Sequence, residues 1–142
     1  MDFLEIINSS NQTFSRAHPT DAGIDIRANE DLMLSPGERA LVSTGVRLKI
    51  AEGYVGLLCP RSSLGSKGLT LSNCVGVIDS GYRGECKVAL WNSTNGSEFK
   101  IEKGDRIAQL LILPISLPTV VEVESLDETE RGTGGFGSSG VK

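Results

Sequence analysis

No window of twelve or more residues in this 142-residue chain keeps a 3.6-residue apolar period, and that feature alone argues against a helical architecture. Alternation takes its place. From Leu41 to Ile50 the even positions Val42, Thr44, Val46, Leu48 and Ile50 are β-branched or apolar. Ser43, Arg47 and Lys49 face the other way, which predicts one half-buried strand. Tyr54 to Cys59, Glu85 to Trp91 and Ile107 to Leu113 are further strand segments, the last apolar on both faces and so expected in a sheet interior. Ser35-Pro36-Gly37, Glu52-Gly53, Asn95-Gly96 and Lys103-Gly104-Asp105 supply the turns. Many short strands joined by glycine-bearing turns predict an all-β sandwich or barrel of jelly-roll type.

A chain of this length suits one domain. Its seven Phe, Trp and Tyr residues make a thin aromatic core, so association of copies is expected to bury more surface. Five of the 17 glycines fall between Gly132 and Gly140, with two serines. That stretch cannot pack as a strand. The expected organisation is therefore a barrel over residues 1–130 and a mobile glycine-rich tail over 131–142.

His18 is the only histidine, which removes a His-paired nucleophile, a two-His zinc site and most imidazole acid–base schemes. An enzyme built on this chain must rely on carboxylates and backbone amides. A net charge of −4 argues against binding long nucleic acid through its phosphates, although one small anion stays within reach. Cys59, Cys74 and Cys86, an odd number with no C-x-x-C spacing, read as reduced, buried thiols rather than a disulfide framework or zinc knuckle. The opening MDFLEIINSS has no basic stretch, and no segment holds the roughly 18 apolar residues of a membrane span. A soluble cytoplasmic protein is expected.

Four segments carry candidate chemistry. CPRSSLGSKG (59–68) gathers Arg61, Ser62, Ser63, Gly65, Ser66 and Lys67, all able to donate to an oxyanion, and Ser62-Ser63-Leu64 can open one helical turn with free amides. An ordinary solvated turn has the same composition. In NCVGVIDSGYRGE (73–85), Asp79 follows an apolar strand and heads a tight turn, a hairpin-like unit whose rim carboxylate can take a proton from water or help hold a divalent metal. Tyr82 offers a ring face. The alternative is an Asx-turn aspartate and a packed tyrosine. Asp21 and Asp25 flank Gly23, and their hard oxygens suit magnesium, with turn-capping the blander role for Asp21. Gln109 is a lone amide in an apolar strand that must find a partner, whether structural or substrate, and Asp105-Arg106 reads as a turn ion pair. Beyond these, RGTGGFGSSG (131–140) sets Phe136 among glycines with no core to enter. It fits a phosphate cradle of glycine amides with Ser138, Ser139 and Arg131, closing only over a ligand.

Together these segments closely resemble the trimeric all-β deoxyuridine triphosphatases, the dUTPases. Five motifs stand in that family's order: DAGIDI (21–26), PRSSLGSKG (60–68), NCVGVIDSGYRG (73–84), GDRIAQL (104–110) and RGTGGFGSSG (131–140). The resemblance implies hydrolysis of dUTP to dUMP and pyrophosphate by water attack on the α-phosphorus, which limits uracil in DNA and supplies dUMP for thymidylate synthesis. By the same resemblance Asp79 activates the water, and Tyr82 lies against the deoxyribose and excludes a 2′-hydroxyl. Asn73, Val77 and Ile78 read uracil, largely with backbone groups. Arg61, Ser62, Ser63 and the Gly65 amide bind phosphates, Gln109 sits near the α-phosphate, and Asp25 contacts Mg2+ through water. Arg131, Phe136, Gly137, Ser138 and Ser139 form a lid. A homotrimer with sites shared between subunits is implied, with no nucleic acid polymer and no membrane as partner. Many members carry a second acid where this chain has Gly81, so that group's supporting role is absent here. No motif for dCTP deamination, the reaction of a related fold, is present. A nucleotide-sensing trimer with a regulatory protein partner is the second class these residues leave open.

Overall fold

The computed structural model describes residues 4–141; residues 1–3 and 142, the outer ends of the two expected segments, lie outside the described residues. The chain runs through β1 (Leu4–Asn8), β2 (Ile24–Arg27), β3 (Leu32–Leu34), β4 (Arg39–Val42), β5 (Val46–Ile50) and β6 (Tyr54–Cys59). A single helical turn, α1 (Ser62–Gly65), precedes β7 (Leu69–Leu71), β8 (Gly76–Ile78), β9 (Val88–Asn92), β10 (Phe99–Ile101) and β11 (Arg106–Pro114). One sheet has the order β2-β11-β6-β8, a second β4-β9-β7, and two ribbons pair β1 with β5 and β10 with β3. All these pairings are antiparallel, and most join strands distant in sequence, as in a jelly roll.

The all-β expectation therefore holds, and the core is aliphatic. Ile26, Leu34, Val42, Leu69, Val88, Leu90, Ile107 and Leu110 are 1% exposed or less, whereas Phe14, Tyr54 and Phe99 are only partly buried against them. Among the described residues no helix is long and apolar enough to cross a membrane.

Three expectations need correction. The alternation from Val42 to Ile50 is realised, with its five even residues all buried, but in two strands. Gly45 takes φ +71°, and a Cβ there would come 2.8 Å from the Ser10 Cβ. The Thr44 hydroxyl donates to the Cys86 carbonyl and accepts the Val46 amide at 3.2 Å, so the kink is hydrogen-bonded internally. The chain thus leaves one sheet for a ribbon without losing its inward face. Residues 73–85 are likewise not a hairpin, because β8 pairs with β6 while β9 pairs with β4 and β7. Glu85 makes only an isolated bridge to Arg47, and its carboxylate accepts the Ser43 hydroxyl and, at 2.9 Å, the Gly45 amide. Those bonds, the Ser43 hydroxyl foremost, hold its carboxyl below the usual range. Of the thiols, only Cys86 is buried, which pushes its pKa up to about 11. Cys59 is half-buried, and Cys74 is exposed at φ +63°.

Candidate functional site

The candidate site is built outward from β11, the strand that the apolar run Ile107 to Leu113 placed in a sheet interior. On one side Gln109 stands opposite Asp25 of β2; on the other it stands opposite Cys59 of β6. The register thus draws three distant sequence segments to one point. Period-two alternation would put Arg106 and Gln109, three residues apart, on opposite faces. A β-bulge removes that conflict: Arg106 opposes Arg27 and Ala108 opposes Ile26, leaving Ile107 as the extra residue. Ile107 is buried, and Arg106 and Gln109 line the same cleft.

That cleft, about 380 Å3, is lined by Asp21, Gly23, Asp25, Arg61, Ser62, Ser63, Arg106 and Gln109, among others. Gln109 donates from Nε2 to the Pro60 carbonyl at 3.1 Å, the partner a half-buried amide requires. Gly23 makes room for it: a Cβ at that position would land on Gln109 Oε1 and stand 3.0 Å from its Cβ. Arg61 reaches across to donate to the Arg106 carbonyl at 3.1 Å, and the helical turn expected from Ser62 onward forms behind it. Arg61, as the residue capping that turn, makes no side-chain cap bond.

Asp25 is mostly enclosed, with its Oδ2 3.8 Å from Arg106 Nη1. Asp21 takes the turn-capping role, accepting the His18 amide at 3.0 Å. Asp105 and Arg106 do not pair with each other. Asp105 accepts the Glu102 amide at 2.9 Å and closes its own turn, which frees Arg106 for Asp25. Arg106 is the cleft residue that sequence reading missed. A bulge leaves no mark on the count of apolar positions, and the visible signal was only a cation at the start of a strand with an amide three residues on.

A second cleft, about 310 Å3, is lined by Asn73, Gly76, Val77, Ile78 and Tyr82 with Leu41, Leu58, Glu85, Cys86 and Lys87. Among them, Asn73, Val77, Ile78 and Tyr82 are the residues expected to read base and sugar. Asp79 follows β8 directly, is exposed, and lines neither cleft. Its carbonyl accepts the Tyr82 amide at 3.1 Å, and this is the tight turn read from the sequence. A Cβ on Gly65 or Gly81 would meet nothing within 4 Å, so the space beside both is open.

The third group stays apart. Arg131 Nε donates to the Gly134 carbonyl at 2.8 Å, and the amides of Ser138 and Gly140 donate to Gly135 and Gly137. Among the described residues, the hydrogen bonds of 131–140 run only within that segment or to Thr129. Phe136 is fully exposed at φ +51°, and Gly137, Ser138 and Ser139 are exposed beside it. The chain therefore brings Asp25, Arg61, Ser62, Ser63 and Gln109 together but holds the turn after β8 and the tail elsewhere.

Whether the first cleft suits magnesium is a question of donors. Among the described residues no three His, Cys, Asp or Glu side chains cluster. The cleft's carboxylates are Asp25 and Asp21, the second already accepting the His18 amide, a sparse set that fits an ion that keeps its waters and takes its other ligands from a polyphosphate.

Comparison with known proteins gives a consistent result. A family model described as dUTPase matches residues 9–140. The deoxyuridine 5'-triphosphate nucleotidohydrolase of Nocardia farcinica is 53% identical over 127 residues, covering 89% of this chain and 77% of its own length. That of Mycobacterium marinum is 53% identical over 132 residues, covering 89% and 86%. Among solved structures, Staphylococcus bacteriophage 80alpha dUTPase with dUPNHPP superposes at a TM-score of 0.91 and 36% identity, over 99% of this chain and all of its own. A mutant dUTPase of phage phi11 of S. aureus, whose structure reveals the coordination of a structural Mg(II) ion, superposes at 0.80 and 32% identity over 89% of this chain and all of its own.

Proposed function

The chain belongs to the dUTPase family and hydrolyses dUTP to dUMP, and from that premise we propose how its residues divide the work. The observation that carries this reading is the β11 register, which sets Gln109 between Asp25 and Cys59 and beside Arg61, Ser62 and Ser63. A triphosphate lies in this cleft, with the Arg61 guanidinium, the Ser62 and Ser63 hydroxyls and the Gly65 amide donating to its oxygens. Gln109 orients the α-phosphate region. Uracil enters the second cleft, where Asn73, Val77 and Ile78 read it and the Tyr82 ring packs on the deoxyribose. Asp79 accepts a proton from a water whose oxygen bonds to the α-phosphorus as the bond to the bridging oxygen breaks. Pyrophosphate leaves on that oxygen. Magnesium, when bound, would supply neutralising charge beside the phosphates, and Asp25 would hold it through a water molecule.

The working unit is a homotrimer with sites made from several copies. One observation supports this. Leu117, Val120, Val121, Val123 and Leu126 are 59–92% exposed along a stretch outside any strand, an arm of apolar surface suited to a neighbouring copy. The tail beyond it, Arg131 with Phe136, Gly137, Ser138 and Ser139, would close over a bound nucleotide as a lid. Residues 1–130 and 131–142 thus act as barrel and lid, in the cytoplasm where free nucleotides are drawn on.

Pyrophosphate release from dUTP, set against dCTP, dTTP and UTP with magnesium present, tests the substrate. Asp79→Asn is expected to lose most turnover while still binding dUPNHPP; unchanged turnover would refute its role as base. Mixing Asp79→Asn chains with chains lacking 131–142 is expected to restore activity to the mixture. Additive inactivity there would rule out shared sites.

A further inference from the structure

We infer that Gly84 is a positioning residue for sugar selectivity, because its missing side chain leaves the space in which the Tyr82 ring is seated. This rests on the reading of Tyr82 as the ring beside the deoxyribose. The Tyr82 hydroxyl donates to the Glu85 carbonyl at 2.9 Å, which turns the ring back across residue 84. A Cβ built on Gly84 would overlap it, falling nearest the hydroxyl oxygen and 2.6 Å from both Cε1 and Cζ. Carbon atoms in contact keep about 3.5–4.0 Å.

The glycine is not there for its backbone. Gly84 is absent from the residues at positive φ, so an L-residue can adopt its conformation without strain. Gly81, in the same turn, has open space where a Cβ would stand. Position 84 therefore needs to be empty for one reason, the ring.

The ring is 43% exposed, open to a ligand, yet its setting is fixed. Its acceptor belongs to Glu85, whose carboxylate holds the Ser43 hydroxyl and the Gly45 amide, tying the turn to the β4–β5 kink. From the other side Arg83 Nη1 donates to the Ser80 carbonyl at 2.6 Å and to the Tyr82 carbonyl at 3.1 Å. An alanine at 84 leaves the Glu85 carboxylate and Arg83 bonds possible and displaces only the far end of Tyr82, whose hydroxyl then gives up the Glu85 carbonyl. The ring then no longer forms a fixed wall where a 2′-hydroxyl would go, and discrimination falls while the fold persists.

The test compares kcat/KM for UTP and dUTP in the full chain, Gly84→Ala, Tyr82→Ala and the double variant, with thermal unfolding alongside. Gly84→Ala is expected to raise the UTP-to-dUTP ratio about tenfold, with an unchanged unfolding midpoint. Tyr82→Ala raises it at least as far, and the double variant no further, because Gly84 acts only through the ring. A parental ratio in Gly84→Ala, or effects that multiply in the double variant, would overturn the inference. A parental ratio in Tyr82→Ala would overturn the reading of Tyr82 itself, and this inference with it. Should Gly84→Ala not fold, the double variant is expected to fold, since the overlap is with the ring; failure of both overturns the inference.

Discussion

The cleft on β11 and the tail at the end of the segment after Pro114 both present arginine, serine and glycine and differ in what holds them. In the cleft, Gln109 is fixed by two strand registers, a hydrogen bond to Pro60 and the space at Gly23. Past Ile115, whose amide donates to the Gly53 carbonyl at 2.8 Å, no hydrogen bond among the described residues returns the chain to the barrel. In the proposed division of work, the difference separates two ways of supplying donors to a phosphate. Those in the cleft would be oriented before substrate arrives, and those in the tail would be ordered at a cost in entropy that substrate binding must offset. The first favours rate; the second lets a site open for release and close for chemistry.

Four experiments bear on that contrast, the largest effect first. Removing 131–142 is expected to lower kcat/KM for dUTP roughly a thousandfold, the scale of losing an arginine that neutralises phosphate charge, with no change in unfolding temperature. A marked loss of stability would mean that the tail is part of the fold. Gly23→Ala is expected to cost about a hundredfold in kcat, because the added methyl displaces the Gln109 amide, with a much smaller change in KM. Equal losses in both parameters would place Gln109 in ground-state binding instead. Phe136→Ala should cost roughly tenfold, the scale of one base–aromatic stack, and should appear in kcat/KM rather than in the stability of the free protein.

The smallest effect concerns the frame beneath the second cleft. Glu85 has its carboxyl held below its ordinary value of 4.5, chiefly by the Ser43 hydroxyl, so it stabilises the fold above that pH and the contribution fades as pH falls through the lowered value. Glu85→Gln should therefore be less stable than the parent at neutral pH. The two should converge on acidification below about pH 4.5, as seen in denaturant midpoints across pH. A gap that stays constant would mean that the carboxylate charge is not the source of the stability.

How far the sequence could be read follows from the same physics. Alternation reports which way side chains point, and it marked the inward residues from Val42 to Ile50, while Tyr54 to Cys59 was legible as the strand β6. It does not report which strand pairs with which. The break at Gly45 and the parting of β8 from β9 were therefore invisible, because the hydrogen bonds that decide them come from Cys86 and Ser43, distant in sequence. Asp25, Arg61, Ser62, Ser63 and Gln109 were legible as chemical types and meet in one cleft. Gly23 was legible as a point of close approach, but not the Gln109 side chain it admits. The parts of Gly84 and Arg106 were not legible, since they depend on a neighbour's volume or on a bulge rather than on their own chemistry.

That bulge behaves like a shift of reading frame written into a strand. Upstream of Ile107 the chain counts faces in one phase, and from Ala108 onward in the other. Ironing the ladder flat while keeping every residue would give a more regular sheet and turn Arg106 away from Asp25. At this point a tidier barrel would give up the convergence of Arg106 and Gln109 on one cleft, and a redesign that scores regularity would remove the irregularity first.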